Sequence, residues 1–178
     1  MLDLYPMVIL LGVLFVFTTI QFDVMLEWVL MLIFVSILYL ISIIDMQVQI
    51  IPNGCLLVAI VARVIYYFCT EDFSFGSFFA LLANGLLISL PLFILVLIME
   101  KVLKKEAMGG GDIKLLFVTG MYIGWENNLL ALFFACIMGI LYGVVKIRSE
   151  KKLGTFPFGP FIAMGTMISM LIGDGLHL

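Results

Sequence analysis

Charge is scarce in this 178-residue chain. Asp, Glu, Lys and Arg make up 12% of it, 65% is hydrophobic, and mean hydropathy is +1.29. A soluble domain is nearer about 45–50% apolar and about 25% charged. A water-soluble fold would leave far too much apolar surface exposed, so the bilayer is the expected solvent. At roughly 20 apolar residues per span, residues 1–178 read as a single integral-membrane domain with no room for a separate soluble one. No basic tail or patch points to nucleic acid. Histidine is scarcer still, because His177 stands alone. That excludes H-E-x-x-H and other His-rich zinc patterns. Cys55, Cys69 and Cys136 lie singly, with no C-x-x-C pair. A thiolate metal centre or dithiol redox pair is thereby disfavoured, and the three read as small apolar packing residues. A cleavable signal peptide is not expected either. Met1–Pro6 carries Asp3 and no base, and no small-residue cleavage site follows the apolar run.

What is present is a succession of apolar segments. They run over Tyr5–Ile20, Leu26–Ile44, Gly54–Cys69, Phe78–Met99, Ile113–Gly124, Leu129–Val145 and Phe158–Ile172. The reading is an all-α polytopic bundle of about seven transmembrane helices, with six as the competing count because the fifth segment is short. Basic residues cluster in alternate connections. Lys101, Lys104, Lys105 and Lys114 flank the fourth-to-fifth connection, and Lys146, Arg148, Lys151 and Lys152 the sixth-to-seventh. The positive-inside rule makes that side cytoplasmic. The other connections hold Asp23 with Glu27, Glu71 with Asp72, and Glu126, without a base. On this topology Asp45 and Asp112 share the cytoplasmic face, and His177 lies outside.

Two features stand apart. Arg63 lies midway along the third segment, where a charge costs at least ~2.5 kcal/mol. It either snorkels toward Glu71, Asp72 or headgroups, or faces the bundle in an ion pair. Small residues recur every four positions at Gly120 and Gly124 and at Ala135, Gly139 and Gly143. That spacing lets helix backbones approach closely in lipid.

The chemistry rests on two carboxylates. Asp45 ends an apolar segment and precedes Ile51-Pro52-Asn53. Pro52 cannot continue a helix and holds Ile51 extended, leaving Asn53 available to cap the next helix. Asp112 follows Gly109-Gly110-Gly111. Three glycines destabilise a helix, permit positive φ and allow another backbone to approach. Taken singly, each site has a plain reading: Asp45 as an interfacial residue, Asp112 as the N-cap of a hinge, Lys114 as a headgroup anchor. Lys114 would alternatively favour the ionised form of Asp112. Taken together, two acids on one face beside helix breaks can share a proton and do acid–base work on a peptide bond. With the lone histidine external, no His-based triad competes on that face.

Three stretches in order carry a family resemblance. They are Asp45-Met-Gln-Val-Gln-Ile-Ile-Pro52-Asn53, Gly109-Gly110-Gly111-Asp112-Ile113-Lys114, and Phe156-Pro157-Phe158-Gly159-Pro160-Phe161. In these the chain resembles the type IV prepilin peptidases, within the G-x-G-D intramembrane aspartyl proteases, across about residues 26 to 172. The resemblance implies that Asp45 and Asp112 are the catalytic pair. It implies a prepilin or pseudopilin substrate, including Flp-type precursors, cut at the end of a short basic leader, typically after a glycine. It also implies the cytoplasmic membrane as the location. Longer bacterial members carry an N-terminal domain with paired C-x-x-C motifs and methylate the product. This chain looks like the short peptidase-only form. Preflagellin peptidases are similar too.

The resulting expectation is a multi-pass aspartyl endopeptidase, its active site facing the cytoplasm, with no metal or organic cofactor. Gly109, Gly110, Gly111, Lys114, Pro52 and Asn53 would support the loops that carry the acids. The lipid bilayer and the precursor are its expected partners, and the sequence leaves its oligomeric state open. The rival reading is a small transporter or assembly subunit with Asp45 and Asp112 as a proton or cation relay. A relay places acids along a path across the bilayer; a dyad places them together at one rim.

Overall fold

The computed structural model describes residues 9, 11–13, 16, 25–70, 74–104, 108–150 and 157–172. The expected first span, Tyr5–Ile20, lies largely outside these residues, as do Asp23, Glu71, Asp72, Lys105, Lys151, Lys152, Phe156 and His177. The described residues are helical, without strands. The helices are α1 (Met25–Val48), α2 (Asn53–Thr70), α3 (Phe75–Leu103), α4 (Gly110–Glu150) and α5 (Gly159–Ile172). Val29–Val48, Phe75–Val102 and Gly110–Lys146 are long and apolar enough to cross a membrane, and Asn53–Cys69 and Gly159–Ile172 are shorter apolar helices.

The fifth and sixth apolar segments are the two arms of α4. Gly124, at φ 74° and ψ 165°, breaks the helix between them. That region of backbone space is open essentially to glycine alone. The side chain of Asn128 donates to the Leu116 carbonyl at 2.9 Å and accepts from the Thr119 hydroxyl at 2.8 Å. Twelve residues of continuous helix would rise ~18 Å, so the chain reverses at Gly124. Sequence reasoning had Gly124 as a packing residue; its role is this reversal.

Gly120 does serve close packing. A Cβ there would lie 2.6 Å from the Asn84 carbonyl oxygen, and one at Gly85 would lie 2.7 Å from that of Phe117. The first arm of α4 therefore crosses α3 backbone to backbone. Across the second arm, a Cβ at Gly165 of α5 would collide with the Ala131 carbonyl. Gly143, in the same expected stripe, has nothing within 4 Å.

The lipid-facing side is plain on α3, where Leu86, Leu87, Leu90, Phe93 and Ile94 are exposed. Pro91 interrupts its backbone bonding, and Ser89 bonds back to the Gly85 carbonyl at 2.7 Å. The carbonyl freed by the proline is that of Leu87; the Ser89 bond is a separate back-bond of the i to i−4 kind. The core lies between α1, α4 and α5. Phe34, Leu38 and Ile41 of α1 are fully buried, as are Leu115 and Leu116 of α4 and Ile162 and Met167 of α5. Phe34 stacks on Tyr122 at a centroid distance of 3.8 Å, and the Tyr122 hydroxyl donates to the Ala59 carbonyl at 2.7 Å. Arg63 is buried rather than extended toward headgroups. Its Nε donates to the Met121 carbonyl at 3.0 Å, and its guanidinium lies 5.5 Å from the Tyr66 ring centre.

Candidate active site

The helix stripes that build the core also deliver the two acids. On α1 the buried positions Phe34, Leu38, Ile41 and Ser42 lead to Asp45 at helical spacing. On α4, Asp112 begins the buried series continued by Leu115, Leu116 and Thr119. Asp45 is 5% exposed and Asp112 8%, so both carboxylates face the bundle rather than the lipid. Asp112 lies within electrostatic reach of Asp45.

Local sequence explains how each acid is held. α1 stops at Gln49, whose left-handed backbone (φ 56°) lets its N–H close on the Asp45 carbonyl at 2.9 Å. Pro52 then supplies the carbonyl that accepts the Cys55 and Leu56 amides, opening α2. Asn53 is the first residue of α2 rather than its cap. Its side-chain oxygen instead accepts Lys114 Nζ at 3.1 Å, which ties the first turn of α2 to the second turn of α4. Lys114 is exposed and directed to Asn53.

Asp112 is the third residue of α4, not its N-cap. The Gly109 carbonyl accepts the Asp112 amide at 3.0 Å, so Gly109 holds the cap position and Asp112 the third helical one. The three glycines divide their roles. A Cβ at Gly109 would lie 3.1 Å from Asp112 Oδ2, and one at Gly111 would lie 3.0 Å from Ile51 Cβ. Gly110 has nothing within 4 Å, and the only glycine with positive φ among the described residues is Gly124. The expected need for positive φ in the triple glycine is therefore not met; close approach applies at two of the three positions.

The third stretch supplies a residue that sequence reasoning did not place in the site. Gly159 opens α5, and its N–H donates to Asp45 Oδ2 at 2.9 Å. A Cβ at Gly159 would lie 2.8 Å from that oxygen and 3.4 Å from Ile51 Cδ1. Ile51 thus sits between the glycine beside Asp112 and the glycine that touches Asp45. The three stretches, far apart in sequence, converge on one end of the bundle. The third one pointed to Gly159 only as part of a motif, without a role.

Beside this cluster a groove of about 450 Å³ runs between α2, α3 and the first arm of α4. Asn53 and Lys114 stand at its polar end, and Leu57, Leu86, Leu90 and Phe117 line its apolar length. Among the described residues, no group of three or more His, Cys, Asp or Glu is placed to hold a metal ion.

The model of the type IV leader peptidase family matches residues 32–144. A prepilin leader peptidase/N-methyltransferase of Bacillus subtilis (strain 168) is 30% identical over 169 residues, covering 92% of this chain and 63% of that relative. One from Stutzerimonas stutzeri is 32% identical over 138 residues, 75% of this chain and 46% of the relative. One from Pseudomonas putida is 37% identical over 75 residues, 41% of this chain and 26% of the relative. The chain thus spans less than two thirds of the length of these relatives. No solved structure matches it.

Proposed function

We propose that this chain, which belongs to the type IV leader peptidase family, is an aspartyl endopeptidase that removes the short basic leader of a prepilin or pseudopilin precursor. Its place is the cytoplasmic membrane, with the dyad Asp45 and Asp112 at the cytoplasmic face. The observation that carries this reading is the convergence of two buried carboxylates at one end of an apolar bundle.

Two close carboxylates do not both ionise easily, so one proton is shared across the pair. The ionised member takes a proton from water as its oxygen attacks the scissile carbonyl carbon. The protonated member polarises the carbonyl oxygen. Collapse of the tetrahedral intermediate breaks the C–N bond, and the leaving amine receives the proton removed from water. The groove beside Asn53 and Lys114 offers an apolar surface next to the acids for the membrane-spanning part of a precursor. A cationic leader remains on the side rich in Lys101, Lys104 and Lys114, where positive segments stay by the positive-inside rule.

The relay reading fits less well. Both acids lie at the same end of the bundle, beside the first turns of α2, α4 and α5, rather than along a path through it. The test is incubation of the purified protein with a panel of prepilin-like precursors, with the cut mapped by mass spectrometry. Cleavage at the junction of basic leader and apolar helix is expected; intact precursor throughout would refute the proposal.

A further inference from the structure

We propose that Gly159 is a positioning residue for the Asp45 carboxylate, acting through its backbone N–H and its lack of a side chain. The inference rests on the reading of Asp45 as half of the dyad. The first amides of any helix lack intrahelical partners. They are usually satisfied by an N-cap side-chain oxygen. In α5 the Phe158 carbonyl accepts the amides of Phe161 and Ile162, so Phe158 occupies the cap position and offers no side-chain oxygen. The Gly159 amide turns instead to Asp45 Oδ2, 114 residues away, at 2.9 Å. A donor to a carboxylate makes a short, strong and directional bond. Asp45 Oδ1 accepts no hydrogen bond among the described residues, so the acid is anchored by one oxygen and presents the other.

The fit leaves no space for a larger residue. A Cβ at position 159 would stand 2.8 Å from Oδ2 and 3.3 Å from Cγ of Asp45. The first of these distances is shorter than carbon and oxygen tolerate, so Asp45 would have to swing away. Gly159 is itself held in place. Pro160 fixes the next φ, and the Phe161 ring lies 5.5 Å from Tyr142 and 6.2 Å from Phe158. A rigid shell of this kind sets a catalytic side chain to within about half an ångström.

The test uses the full chain in lipid nanodiscs and a synthetic prepilin-like precursor. Glycolic acid incorporated at position 159 by nonsense suppression converts the amide to an ester, removing the N–H without adding a Cβ. Its kcat per folded enzyme is expected to fall about 10- to 100-fold with KM unchanged, beside a modest loss of thermal stability because the ester also weakens the Phe158 carbonyl as an acceptor. Gly159→Ala is expected to lose at least as much. Gly143→Ala, with nothing within 4 Å of its Cβ, is expected to retain wild-type kcat. Wild-type kcat in the ester variant would overturn the inference. So would a loss that tracks only the fraction of unfolded protein, since a purely structural role moves stability and not the kcat of folded enzyme. An Asp45→Asn arm separates the two ideas. If it cleaves normally, the dyad reading fails and takes the inference with it. If it is inactive while both Gly159 variants cleave normally, only the inference fails.

Discussion

Replacing Gly111 with Ala adds a single methyl group directly beside Asp112. Its carbon would stand 3.0 Å from Ile51 Cβ, 3.4 Å from Cγ1 and 3.5 Å from Cδ1. Ordinary carbon–carbon contact is at roughly 3.5–4.0 Å, so the Ile51 turn and the start of α4 must separate by a few tenths of an ångström. Neither is a flexible side-chain end. Ile51 is 8% exposed in the turn between α1 and α2, and Gly111 lies in the first turn of α4. The shift passes to Asp112 at the next residue. A misplacement of ~1 Å at a catalytic group costs on the order of 10²-fold in rate, so Gly111→Ala should lower kcat about 10-fold. Gly110→Ala meets nothing within 4 Å. It should leave kcat near wild type and, by removing backbone entropy from the unfolded chain, stabilise by up to ~1 kcal/mol. The assay is initial-rate cleavage of one precursor peptide by each purified variant, normalised to folded protein. Equal activity in both variants, or a larger loss at Gly110, would refute the argument.

The contrast between these glycines marks the limit of what the sequence made legible. Apolar runs located every described helix, because a helix in lipid must be apolar over most of its length. Lysine placement put the ends of α3 and α4 on the side that carries Asp45. Both acids were visible as charges at the ends of apolar runs, and their spacing from Phe34 and Leu115 makes them members of buried stripes. What local sequence did not carry were contacts between distant residues. Nothing near Gly159 announces a bond to Asp45, and nothing near Asn53 announces Lys114. Gly110 and Gly111 are identical in sequence, and only Ile51, packed from another turn, distinguishes them. Gly124 read as a packing glycine because a four-residue spacing from Gly120 hides a reversal. Arg63 turns inward because the Met121 carbonyl, near the end of the first arm of α4, supplies an acceptor for it.

The remaining predictions address topology, packing and scope. Cysteines placed at Lys104 and Glu126 should label from opposite sides in intact cells, the first only after the membrane is permeabilised; labelling of both from outside would remove the common face for the acids. Gly165→Ala drives a methyl group into the Ala131 carbonyl and should destabilise by about 1–3 kcal/mol, read as a lower Tm than Gly143→Ala; equal Tm values would show that α5 does not pack there. With three single cysteines and no C-x-x-C pair, the purified chain should cleave without methylating the new N-terminus when S-adenosylmethionine is added. A mass gain of one methyl group in the product, dependent on this protein alone, would show that a second site exists.

The dyad itself is tested most directly by Asp45→Asn and Asp112→Asn, each compared with wild type for cleavage of the same precursor in the same membrane. Asn keeps the shape of the side chain and cannot exchange the proton. Each variant should insert, fold and bind precursor, yet lose cleavage by at least about 10³-fold, within the range attributed to general acid–base groups. Cleavage close to wild type in either one would contradict the account.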